Sequence, residues 1–87
     1  MKSQNYTVTT TASLLIAAAP SNRTIYIHVL GNGTVYLGGS DVTSANGLVT
    51  EKGAVPFEMQ LPANESVYAV ASVTEQVRIL RPSNDGN

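Results

Sequence analysis

Hydrophobic and polar residues alternate with a period of two through most of this chain, and Gly, Asn and Pro interrupt the alternation at short intervals. Residues 24–30 give the cleanest run: Ile25, Ile27 and Val29 fall on one side, Tyr26 and His28 on the other. Alternation of this kind sets one side of a strand against a core and the other towards solvent or a second layer. Comparable runs occupy residues 6–11 (Tyr6, Val8 and Thr10 on one face), 14–18, 34–38, 55–61, 67–72 and 76–80, with a short additional one at 48–50. In the run 55–61, Phe57, Met59 and Leu61 face inward and Glu58 and Gln60 outward, while Pro56 marks an edge strand near its start. Nowhere do apolar residues recur at helical spacing over three turns. The pattern predicts an all-β chain of about seven short strands, a sandwich or barrel.

The turn residues sharpen this picture. Pro20-Ser21-Asn22, Glu51-Lys52-Gly53 and Pro62-Ala63-Asn64 separate neighbouring runs. Gly31-Asn32-Gly33 stands between residues 24–30 and 34–38, as a three-residue hairpin loop would, with Gly33 in the left-handed position. That register pairs Leu30 with Thr34, Val29 with Val35 and Ile27 with Leu37, so the core face is apolar on both strands. It also gathers Tyr26, His28 and Tyr36 on the opposite face. Tyr is favoured at protein contacts because it couples an apolar ring to a polar tip with few rotatable bonds. The alternative is that this face packs on the second sheet. The triplets Thr24-Ile25-Tyr26, Thr34-Val35-Tyr36 and Ser66-Val67-Tyr68 share an order that strand propensity alone produces.

Composition narrows the class of function. Eighty-seven residues make one domain, which buries only roughly 60–65% of the surface its unfolded chain exposes. With no Cys, neither disulfides nor thiolate metal sites can reinforce it. Part of its stability is therefore expected from neighbours. The formal charge is −1 and the five basic residues are dispersed from Lys2 to Arg81, which argues against a nucleic-acid partner. The longest apolar run, residues 14–20, is far below the ~20 needed to cross a membrane as a helix. The first residues lack a signal-peptide hydrophobic region, so no membrane partner and cytoplasmic synthesis are expected.

Candidate chemistry is sparse. His28 is the only His, and no Gly-x-Ser-x-Gly turn accompanies it. A lone His without Cys also makes a poor zinc site. Asp41, Glu51, Glu58, Glu65, Glu75 and Asp85 are scattered among turns and outward positions, unlike a glycosidase pair held across a cleft. Asp41 is expected to bond backbone amides in its own turn. The Gly-rich stretches lack the phosphate-loop pattern. Four glycosylation sequons begin at Asn5, Asn22, Asn32 and Asn64, a by-product of Asn and Thr at turns. The reading is of a chain that is not an enzyme, with no catalytic residue, cofactor or metal.

Longer stretches now become telling. A Thr-rich first strand leads to an apolar strand ending Ala-Ala-Pro, and Arg23 precedes the alternating strand. Then come Gly31-Asn32-Gly33-Thr34-Val35-Tyr36-Leu37-Gly38-Gly39-Ser40-Asp41-Val42-Thr43, Asn46-Gly47-Leu48 and Lys52-Gly53. The chain closes on Ser66-Val67-Tyr68-Ala69-Val70 and Val77-Arg78-Ile79-Leu80. Over roughly residues 6–81 this resembles small tailed-bacteriophage virion accessory proteins, the capsid decoration (cement) and head-fibre type β-domains. The resemblance implies a small antiparallel β-sandwich, jelly-roll-like, that binds the major capsid protein on the outside of an assembled shell and stabilises it. A head-fibre or tail-fibre module recognising a host receptor or glycan is the alternative it leaves open. One domain is expected over residues 1–81, with an N-terminal strand or arm (1–11) that either lies along a neighbour or pairs within its own sheet, and a flexible tail over 82–87. Self-association into a trimer or another closed ring is expected too. Tyr6, Val8, Tyr26, His28 and Tyr36 are the candidate interface residues.

Overall fold

A computed structural model describes residues 2–51 and 57–82. Eight strands follow one another: β1 (Lys2–Val8), β2 (Ser13–Ile16), β3 (Arg23–Val29), β4 (Thr34–Gly38), β5 (Leu48–Glu51), β6 (Phe57–Leu61), β7 (Val67–Ala71) and β8 (Glu75–Arg81). They form two antiparallel four-stranded sheets, sheet A in the order β1-β8-β3-β6 and sheet B in the order β2-β7-β4-β5. Every strand of the first half thus pairs with one of the second half in reverse order: β1 with β8, β2 with β7, β3 with β6, β4 with β5. A long antiparallel ribbon has been rolled until its halves face each other. This is jelly-roll topology.

Alternation explains the layers. In β3 the residues Arg23, Ile25, Ile27 and Val29 are buried and the residues between them are half-exposed. Ile25 and Ile27 meet Ile16, Val35, Leu37, Val67, Val77 and Ile79 in a single core between the sheets. Phe57 and Met59 pack against this core, and Leu61 is within it, so the inward face expected for this strand holds. Glu58 and Gln60 are exposed. β6 is an edge strand, as expected, although Pro56 lies outside the described residues. Apart from Pro82, so does the tail expected over 82–87.

The expected hairpin between β3 and β4 does not form. β3 pairs with β6 and β8, whereas β4 pairs with β5 and β7. Val29 and Val35 both enter the core, but from facing sheets. Alternation specifies which side of a strand is apolar; it does not say which sheet the strand joins. The Gly31-Asn32-Gly33 loop accordingly crosses from one sheet to the other, and Gly33 is not left-handed. Among the described non-glycine residues only Asn64 has positive φ, at 67°.

The Gly31-Asn32-Gly33 loop explains a second difference. Glu75, expected at the surface, is buried, and its Oε1 accepts a hydrogen bond from the Gly33 amide at 3.0 Å. A Cβ at Gly31 would fall 1.7 Å from Glu75 Oε2. Loss of side chains at the crossing makes room for a carboxylate. Elsewhere, Arg23 donates to the carbonyls of Ala17 and Glu65 (both 2.9 Å), and Asn22 Oδ1 accepts from the Ala63 amide at 2.8 Å. The Asn64 amide donates to the Ala19 carbonyl at 2.7 Å. These bonds tie the β2–β3 connection to the turn before β7, so Asn22 acts across the fold rather than within its own turn.

Candidate functional site

The five candidate interface residues do not share a surface. Val8 is 1% exposed and belongs to the core, so it is corrected to a structural residue. Tyr6 packs against the same core; its hydroxyl donates to Gln4 Oε1 at 2.9 Å and accepts from the buried Arg81 at 3.4 Å. Arg81 also donates to Gln4 Oε1. Residues 2–8 pair with β8 from Lys2↔Arg81 to Val8↔Glu75, as an ordinary first strand of the chain's own sheet. Tyr26 and His28 lie on the outer face of sheet A, and Tyr36 on the outer face of sheet B. Splitting the expected Tyr-His patch follows directly from sending β4 to the other sheet.

Sheet A's outer face is largely polar. Its cross-strand rows read Ser3–Leu80–Tyr26–Glu58 and Asn5–Arg78–His28. Side chains cross-link along it: Arg78 Nε donates to Asn5 Oδ1 at 3.1 Å, Asn5 Nδ2 to Gln76 Oε1 at 2.7 Å, and Gln76 Nε2 to Thr7 Oγ1 at 2.8 Å. Tyr26, His28, Arg78 and Leu80 line a shallow depression of about 340 Å³.

Sheet B's outer face is different in kind. Its rows read Leu14–Tyr68–Gly38 and Val70–Tyr36–Val49. Leu14 and Val49 stay 49% and 55% exposed. At the end of β5 the Glu51 carboxylate accepts from Thr34 Oγ1 at 3.1 Å. The antiparallel pair Leu37↔Ala69 has a local twofold normal to the sheet, which carries Tyr36 onto Tyr68 and Val49 onto Leu14. The echo between residues 34–36 and 66–68 is therefore a spatial repeat: the face offers the same Tyr–aliphatic pair twice.

A loop after β4 folds back over part of this face. Val42 is buried against Gly38, where a Cβ would come within 3.0 Å of Val42 Cγ2. Gly47 sits on Tyr36, whose Cβ would be 2.5 Å from any Cβ there. The loop is pinned by Asn46, whose Oδ1 accepts from the Thr43 amide at 2.7 Å and whose Nδ2 donates to the Asp41 carbonyl at 3.4 Å. Asn46 thus fills the role expected of Asp41. Between this loop and residues 10–12 runs an open groove of about 630 Å³, lined by Tyr36 and Val70 and by Thr10, Thr11, Thr43, Ser44 and Ser72.

Among the described residues, no three of His, Asp and Glu converge as a metal set. Sequence reasoning missed Leu14, Val49 and Tyr68 as residues of this outer face. The available signal was a surplus: β7 reads apolar on both sides (Val67-Tyr68-Ala69-Val70-Ala71), more than one core face requires. Comparison with protein-family models, with curated proteins and with solved structures finds no match to this chain.

Proposed function

We propose that this chain is a structural virion protein, a capsid decoration protein that docks on the exterior of an assembled phage capsid through the outer face of sheet B. The observation that carries the docking surface is the uncharged centre of that face, where exposed Leu14 and Val49 flank Tyr36 and Tyr68. A monomer gains nothing by leaving such side chains in water, and contiguous exposed apolar surface marks contact sites. The partner class comes from the resemblance of residues 6–81 to phage virion accessories. The mechanism is mechanical: contacts made only with the assembled lattice must be lost before the shell comes apart, which stabilises it by mass action.

A co-sedimentation assay with purified capsids tests this. The chain should pellet with assembled shells at saturating stoichiometry, stay soluble with free capsid subunits, and raise the temperature at which shells rupture. Absence of the chain from purified virions, together with no binding to shells, would refute the assignment. The neutral groove lined by Tyr36 and by Thr and Ser residues favours a second reading, a fibre-type module that binds a neutral glycan. Low copy number per particle and saturable binding of uncharged oligosaccharides would select that reading instead.

A further inference from the structure

The four free sheet edges are not equivalent. An edge strand presents unpaired backbone amides and carbonyls, and folded chains normally blunt it with short length, bulges or charge. β2 has four residues and a register shift between Leu14 and Ile16. β5 has four residues and ends on Glu51. β6 has five, with Glu58 exposed at its second position. Among the described residues of the four edges, β1 alone is long, at seven, and pairs with β8 over its whole length without a shift. Its outward residues, Ser3, Asn5 and Thr7, are small and uncharged. Three edges are protected and one is not.

We infer that the β1 edge pairs with β1 of a second copy, antiparallel and centred on Asn5, to join two A sheets into one sheet of eight strands. Antiparallel pairing about Asn5 sets Asn5 against Asn5 of the second copy, Ser3 against Thr7, and Gln4 against Tyr6. Every cross-strand pair on the outer face is then polar with polar, a match that hydroxyl and amide side chains favour. Lys2 pairs with Val8 at the end of the ladder. A one-residue slip would bring outward residues against inward ones, so the alternation selects this set of registers. The joint is also isologous and closed, which leaves no β1 edge exposed.

The twofold axis of such an antiparallel pair is normal to the sheet. Both copies therefore keep sheet A's outer face on one side and sheet B's outer face on the other. The dimer presents two uncharged sheet B faces in the same direction, as bivalent attachment to a repetitive surface requires. This last consequence rests on the docking role proposed above; the edge pairing does not.

Sedimentation velocity of the full chain tests the pairing directly. The expected species has twice the 9.1 kDa chain mass at micromolar concentration. Ser3→Lys combined with Thr7→Lys puts like charges opposite each other at two places across the axis and should raise the dissociation constant at least 100-fold. Ser3→Glu with Thr7→Lys puts opposite charges there and should restore the dimer. Both pairs replace exposed side chains, and recovery in the second shows that the first lost pairing rather than folding. A wild-type chain that stays monomeric to several hundred micromolar overturns the inference. So does a dimer indifferent to the Lys pair, or one that the Glu–Lys pair fails to restore. A dimer that does not bind capsids would leave the pairing intact and sink the docking role alone.

Discussion

The two outer faces of this sandwich come from strands of similar length and propensity, yet they differ in what they ask of their surroundings. Sheet A's face satisfies itself: Arg78, Asn5, Gln76 and Thr7 bond to one another in a chain, and solvent completes the rest. Sheet B's face does not, because Leu14 and Val49 have no polar atoms to bond and lie half open to water. Its own loop covers part of it, with Val42 against Gly38 and Gly47 against Tyr36. A small domain has few apolar side chains to spare, and here it spends several outside the core. In the proposed roles, sheet B carries the docking contact and sheet A the pairing edge.

That contrast can be broken most forcefully by charging sheet B. Leu14→Lys with Val49→Lys removes apolar contact worth about 2–3 kcal/mol from two half-exposed side chains, before any cost of burying ammonium groups. Capsid affinity should fall ~100-fold or more, while the thermal unfolding midpoint hardly moves because both residues lie outside the core. Unchanged affinity would place the docking surface elsewhere. A smaller effect is expected from Gly47→Ala. The added Cβ would clash with Tyr36 and Val42 and lift the loop that only sheet B carries, at a cost of about 1–3 kcal/mol in denaturant unfolding. Equal stability in the variant would show that the loop does not press on the sheet. Smallest of all is His28→Ala on sheet A. A half-exposed position away from the core should shift stability by no more than about 0.5 kcal/mol and leave capsid affinity unchanged. A large loss of affinity there would invert the comparison.

Much of the architecture is legible along the chain. β4 has the bounds its alternation predicts, residues 34–38, and Ile25, Ile27 and Val29 face the core as their spacing demands. The short run at 48–50 is a strand, which brings the number to eight. Arg23 and Arg81 show a signal that was present but passed over. Extending the period backwards from Ile25, or forwards from Val77 and Ile79, places both guanidinium groups inward, and both are buried. Charge argues for the surface so strongly that the period is easy to overrule. Inside, Arg23 reaches the Glu65 carbonyl and Arg81 reaches Gln4 and Tyr6, contacts made across 42 to 77 residues of chain. Glu75 is a harder case, since nothing near it announces the amide of Gly33.

The residues alone determined that this chain is β throughout, which side of each strand is apolar, and where it turns. Side-chain direction in a strand is a local property with period two, so it can be read without knowing any partner. Only the tertiary structure decided which strands share a sheet. Every strand offers two identical backbone edges, and closure of the whole roll, not the Gly-Asn-Gly turn, sent β4 away from β3. With that choice Tyr36 was parted from Tyr26 and His28 and came to share an outer face with Tyr68, Leu14 and Val49.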